Sequence, residues 1–129
     1  MDASLLFDAG LSLARGERYE EAASAFAGAA VAHERSGEPL QAARALTNLG
    51  NALQLAGRTE DAVLAGERAA EAFRALGDQA GAGAALTNVG SALRDLGRPD
   101  EARARWSEAI TLLQAAGLNA QAEQVQGLV

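Results

Sequence analysis

Apolar and polar positions alternate with a helical rhythm along nearly the whole chain. Leu46, Leu49, Gly50 and Leu53 fall at i, i+3, i+4 and i+7, the stripe of an amphipathic helix. Gly57 ends that run. A glycine just past a periodic stretch supplies the left-handed conformation that closes a helix, so the spacing predicts a helix from about Pro39 to Ala56. Thr59 is then a candidate N-cap for a second helix, in which Ala62, Ala65, Gly66, Ala69, Ala70 and Phe73 form a stripe of small and apolar residues that runs to Gly77. Two such helices joined by a tight glycine turn make an antiparallel hairpin.

The hairpin is written more than once. "ALTNLGNALQLAGRTEDA" at 45–62 returns as "ALTNVGSALRDLGRPDEA" at 85–102, an interval of forty residues, and a weaker copy, "DAGLSLARGERYEEA", stands at 8–22. One hairpin cannot bury both its faces, and self-similarity at a period of roughly 20–50 residues is the signature of hairpins stacked into a solenoid. Gly10, Gly50 and Gly90 recur at one phase inside helices, where glycine costs about 1 kcal/mol against alanine. Their missing Cβ is expected to let the second helix of each hairpin approach the first closely. The acidic pairs Glu20–Glu21, Glu60–Asp61 and Asp100–Glu101 recur too, each in the first turn of a second helix, where the helix dipole stabilises negative charge. Adjacent residues on a helix point in different directions, so these pairs do not flank a scissile bond.

Taken as a set, these residues resemble the tetratricopeptide repeat (TPR). The family's positions match Leu46, Gly50, Leu53, Gly57, Ala62 and Ala69; again Leu86, Gly90, Leu93, Gly97, Ala102, Trp106 and Ala109; and more loosely Leu6, Gly10, Leu13, Tyr19, Ala22, Phe26 and Ala29. The forty-residue spacing and the triplet Leu49-Gly50-Asn51 are similar to the longer variant found in Pins-type adaptors and many bacterial regulators. The resemblance implies an all-α, right-handed solenoid forming one domain over 1–129, with repeats at about 3–37, 38–77 and 78–117. Residues 118–128 are in phase with the start of a further first helix but carry Gln124 and Gln126 at apolar positions, as expected of a short polar capping helix and a natural C-terminus. Two departures stand out. Gly66 occupies the place of Phe26 and Trp106, which predicts a thinner or more mobile contact in the middle repeat, while Gly81 and Gly83 predict a fraying first turn for the third first-helix.

In the TPR architecture the first helices of the repeats form a concave wall that binds protein segments. The resemblance places Ser4, Phe7, Asp8, Leu11 and Arg15 on that wall in the first repeat, Arg44, Thr47, Asn48, Asn51 and Leu55 in the second, and Ala84, Thr87, Asn88, Ser91 and Asp95, with Arg94 nearby, in the third. Asparagine amides both donate and accept, and arginine presents a planar fork to a carboxylate, so the expected ligand is an extended or helical peptide. Alternatively these asparagines are solvated scaffold residues, and Phe7 and Leu11 pack under a neighbouring segment. The clamp for chaperone tails is missing, because its places hold Phe7, Asp8, Leu11, Ala84 and Asn88.

Composition narrows the rest. With 129 residues the chain is one domain's worth, and its scarcity of β-branched and aromatic residues agrees with helix. The net charge of −6 is the opposite of a basic nucleic-acid footprint, so no nucleic-acid partner is expected. There is no cysteine, no basic leader and no apolar run of membrane-spanning length, which points to a cytoplasmic location away from membranes. The single histidine, His33, has no second imidazole or thiolate for a metal and reads as a solvated surface residue. The glycine-rich "GDQAGAGAA" follows no strand and has no phosphate-binding lysine, and the serines lack a histidine base at a suggestive spacing. The sequence thus points to a non-enzymatic protein- or peptide-binding scaffold without metal or cofactor, its groove led by Phe7, Leu11, Arg44, Thr47, Asn48, Asn51, Asn88, Ser91 and Arg94. A self-associating module pairing through its end helices, or a sensing domain of a larger regulator, are the alternatives.

Overall fold

The computed structural model describes residues 2–129, and among them the only regular elements are seven α-helices. They are α1 (Ala3–Arg15), α2 (Tyr19–Arg35), α3 (Pro39–Leu55), α4 (Thr59–Ala75), α5 (Gln79–Asp95), α6 (Pro99–Ala115) and α7 (Asn119–Gln126). Each packs on the next in chain order, and α3 also meets α5, so the hairpins α1–α2, α3–α4 and α5–α6 stack into a solenoid closed at one end by α7.

The turns set the pitch. Gly37, Gly57, Gly77, Gly97 and Gly117 all adopt positive φ, and Glu17 does so at the matching place in the first turn, so the left-handed residues stand twenty apart throughout. At each, two backbone bonds seal the preceding helix. After α3, the Gly57 N–H donates to Gln54 O at 3.0 Å and the Arg58 N–H to Leu53 O at 2.8 Å, the paired closure of a Schellman turn. Arg58 is also the N-cap of α4, its carbonyl accepting from the Ala62 N–H at 3.0 Å. Thr59 is therefore not the N-cap expected from its type; it is the first residue of α4, and no side chain caps that helix. Arginine stands at the same N-cap in all three second helices. Its guanidinium engages the acid three residues on: Arg18 with Glu21, Arg58 with Asp61, Arg98 with Glu101. The recurring acidic pairs lie in these first turns, where the helix dipole and an arginine both favour their charge.

The core is built from alanine faces with a few large side chains keyed into glycines. Leu46, Gly50 and Leu53 of α3 are buried, as is the whole α4 stripe from Ala62 to Phe73, while Leu49 is half-buried. In the first hairpin a Cβ on Gly10 would lie 2.6 Å from the Phe26 ring, and in the third a Cβ on Gly90 would collide with Trp106. There the missing Cβ admits an aromatic ring. In the middle hairpin it admits backbone: a Cβ on Gly50 would stand 3.4 Å from Ala62 O and 3.6 Å from Gly66 N. The place left by Gly66 is filled from the next repeat, since a Cβ there would meet Val89 Cγ2 at 2.5 Å, and a cavity of only about 10 Å³ remains beside it.

The start of α5 differs from its glycine-weakened reading for the same reason. Asp78 caps it, Oδ1 accepting from the Gly81 N–H at 2.8 Å, and a Cβ at Gly81 would strike the Phe73 ring. Gly83 likewise makes room for Leu113. At the end of the stack, α7 buries Ala122 and Val125 and leaves Gln124 and Gln126 exposed.

Outside the apolar core, α4 and α6 are joined by charge. Arg105 Nε donates to Glu67 at 2.8 Å, Arg74 Nη2 donates to Glu108 at 2.8 Å, and Arg105 Nη1 donates to Glu108 at 2.6 Å. The hydrogen bond from Arg74 is the leading cause that holds the Glu108 carboxyl below its ordinary value, against the opposing effect of burial. Burial alone would lower the Arg105 guanidinium, but its bonds to Glu67 and Glu108 outweigh that and raise it.

Two outcomes follow from these features. Glu17→Gly relieves a left-handed non-glycine residue and is expected to raise the free energy of unfolding by about 0.5–1 kcal/mol in urea titration. A carboxyl depressed in the folded state stabilises above its unfolded pKa and ceases to do so as pH falls through its folded value. Glu108→Gln is therefore expected to lower stability at pH 7 by less than about 1 kcal/mol, the range of part-exposed pairs. The gap between the two proteins should narrow on acidification below the ordinary carboxyl value of 4.5, checked by the same titration across pH.

Candidate functional site

The first helices α1, α3 and α5 lie side by side, and two clefts open between them. The first, of about 210 Å³, is lined by Ser4, Phe7, Asp8, His33, Gln41 and Arg44. The second, of about 200 Å³, is lined by Phe7, Arg44, Thr47, Asn48, Phe73, Gly81 and Ala84. Adding forty to each residue number of the first gives Arg44, Thr47, Asn48, Phe73, Gly81 and Ala84, which is the second without Phe7. The repeat thus builds the same cleft twice: two walls from successive first helices and a floor from the last turns of the second helix between them. Phe7 and Arg44 belong to both.

The same position carries different chemistry in each. Where the second cleft has the Phe73 ring against Gly81, the first has His33 beside Gln41; where the second has the Asn48 amide, the first has the Asp8 carboxylate. His33 is only 4% exposed, and its Nδ1 lies 3.0 Å from Glu38 Oε1. This corrects its reading as a solvated surface residue. The reason is phase: position 33 corresponds to Phe73 and Leu113, both buried in the floor of the stack. Phase against the other repeats was the available signal, and it overrides the polar character of the residue.

The other expected wall residues are distributed as follows. Phe7 meets Phe26 edge-on, with ring centroids 5.5 Å apart, so it is at once a core contact and a wall of both clefts. Arg44, Thr47 and Asn48 join it there. Asn88 borders the small cavity near Gly66 together with Thr47. Leu11 packs against the core of the first hairpin, and neither it nor Asn51, Ser91 or Arg94 lines the two clefts. Three hydroxyls are turned onto their own helices: Thr47 donates to Ala43 O at 3.2 Å, Thr87 to Gly83 O at 2.9 Å and Ser91 to Thr87 O at 3.3 Å. Arg94 lies over the Trp106 ring, 5.5 Å from its centroid, while Trp106 Nε1 donates to Thr87 O at 3.1 Å. Asn48, Asn51 and Asn88 are half-buried, and among the described residues no buried side-chain nitrogen or oxygen lacks a partner, so the amides keep access to solvent.

No group of three or more metal-ligating side chains is assembled among the described residues, and no helix there is long and apolar enough to cross a membrane.

Stacked hairpins with first helices on one wall, glycine-keyed second helices and a capping helix define a helical repeat protein of the tetratricopeptide type. The sequence matches the family model described as "Soluble NSF attachment protein, SNAP" over residues 3–128, and the chain belongs to that family. Among solved structures, the TPR domain of Arabidopsis FLU is similar in fold, with a TM-score of 0.80 at 18% identity, covering 88% of this chain and 95% of that one. No curated protein sequence matches the chain. Proteins of this repeat type act in protein–protein interaction, in general without catalysis of their own.

Gly81 offers a direct check on the second cleft, because Phe73 can form its floor only while position 81 has no Cβ. Gly81→Ala is expected to cost about 1–3 kcal/mol of stability by overpacking, measured by thermal and urea unfolding, although alanine is the better helix former by about 1 kcal/mol.

Proposed function

We propose that the wall of α1, α3 and α5 binds a segment of a partner protein, its side chains entering the two successive clefts. The observation that carries this reading is the duplication of the cleft at the forty-residue repeat, with Phe7 and Arg44 shared between the two copies. A ligand with its own repeating geometry, an extended or helical peptide, matches a site repeated along one wall. Phe7 and Phe73 offer apolar contact, the Arg44 guanidinium offers a fork to a carboxylate, and Asn48 presents an amide that pairs with main chain. Asn51, Asn88, Ser91 and Leu11 extend the same wall beyond the clefts, and Arg94, stacked on Trp106, is the member least free to turn toward a ligand. The name of the family denotes attachment to a protein partner, which agrees with this class of function. No step of the reading requires catalysis, a metal or a cofactor.

The test is capture of partners from lysate of the source organism by the chain and by a variant carrying Arg44→Ala, Asn48→Ala, Asn51→Ala and Asn88→Ala, read by quantitative mass spectrometry. A partner retained by the first and depleted at least tenfold by the second, with helicity unchanged, is the expected result. Equal retention by both would move the binding surface off this wall.

A further inference from the structure

The first cleft carries a buried polar group that the stack does not need. The equivalent floor positions, Phe73 and Leu113, are apolar, so the architecture is satisfied without an imidazole. Glu38 holds His33 through Nδ1. A carboxylate accepts and does not donate, so the hydrogen of this contact is on Nδ1, and Nε2 is the ring nitrogen left for another partner. No hydrogen bond within the described residues engages Nε2. No fully buried side-chain nitrogen is left without a partner among the described residues, so Nε2 keeps some exposure, and His33 lines the cleft. Asp8 and Arg44, both exposed, line the same cleft, and neither takes part in an ion pair among the described residues. The cleft therefore brings together an imidazole nitrogen (His33 Nε2), a carboxylate (Asp8), a cationic fork (Arg44) and an aromatic wall (Phe7).

We propose that this cleft is a binding site for a free α-amino acid. Neither a simple cation nor a simple anion suits it, because Arg44 repels the first and Asp8 the second. A zwitterion satisfies both: its ammonium donates to the Asp8 carboxylate, its carboxylate accepts from Arg44, and its side chain lies along Phe7 and the His33 ring. Ser4 and Gln41 supply further hydrogen-bonding groups at the rim. At about 210 Å³ the cleft is smaller than the roughly 300–1,000 Å³ of pockets that enclose drug-sized ligands, and so is suited to a ligand of this size. The second cleft, with Phe73, Asn48 and Ala84 at the equivalent places, lacks the anionic half of the arrangement and is not such a site. The proposal goes beyond peptide binding and does not depend on it, although it gives the first of the two clefts an alternative occupant.

His33 is the only histidine of the chain, so its two imidazole carbon–proton resonances, from Cε1 and Cδ2, are assigned without ambiguity by NMR. Each of the twenty free L-amino acids is titrated against the full chain at constant pH. The best binder is then compared with its N-acetyl form, which lacks the ammonium, and its methyl ester, which lacks the free carboxylate. The expected result is a saturable shift of the His33 signal by at least one free amino acid and a loss of tenfold or more in affinity for both blocked forms. By calorimetry, Asp8→Asn and His33→Leu, the latter bringing in the apolar residue of the equivalent floor position 113, should each weaken binding of that amino acid at least tenfold with helicity retained. Absence of a saturable shift with every amino acid overturns the proposal, and so does a blocked form that binds as well as the free one. Failure of the partner-capture experiment alone leaves this result standing, so the two readings fail separately.

Discussion

In each hairpin the two helices meet where the first of them has no Cβ, and the structure is organised around what enters that space. In the outer hairpins it is an aromatic ring, Phe26 over Gly10 and Trp106 over Gly90; in the middle hairpin it is the backbone of α4 itself. A core this rich in alanine has little side-chain volume with which to hold helices apart, so their spacing is set by contacts of this kind. Gly66 and Gly81 carry the same device across the boundary between the second and third hairpins, taking Val89 and Phe73. Removing a side chain on one element and supplying it from the next makes every layer incomplete without its neighbour, which is why the unit of stability is the stack and not the hairpin.

Features governed by local chemistry were legible in the sequence. The glycine turns, the apolar stripes and the acidic first turns each depend on a residue and its neighbours within one or two helical turns, and periodicity locates them. Features that depend on a distant partner were read less well. Gly81 and Gly83 count against a helix by propensity alone; that they receive Phe73 and Leu113 is a property of the packed stack. His33 was judged by its polarity, when its phase with Phe73 and Leu113 put it in the floor. Arg58 displaced Thr59 as N-cap because the residue that closes one helix begins the next. Of the wall residues, Phe7, Arg44, Thr47 and Asn48 come together around the clefts. Which of the others would sit apart depends on side-chain stacking, such as that of Arg94 on Trp106, that no spacing rule reveals.

The clefts show how a repeat diversifies without changing shape. The backbone frame is the same at both positions, and substitution alone turns a cleft with a phenyl floor and an amide border into one with a buried imidazole and a carboxylate border. Arg44 is the hinge of this difference, serving as the far wall of one cleft and the near wall of the next. A change at that position alters two neighbouring environments at once, so the two do not vary independently.

The turns have a consequence for how the chain comes apart. Because the residue that completes one Schellman closure is also the N-cap of the following helix, no connecting residue is left over as slack. A helix end inside the stack cannot unwind by itself, since loosening it withdraws the starting point of its successor. An inserted residue would rotate everything beyond it by about 100° and take the glycine keys out of alignment with their rings. The chain is therefore tolerant of exchange at its surfaces and intolerant of any change in count: a molecule whose length between turns is quantised.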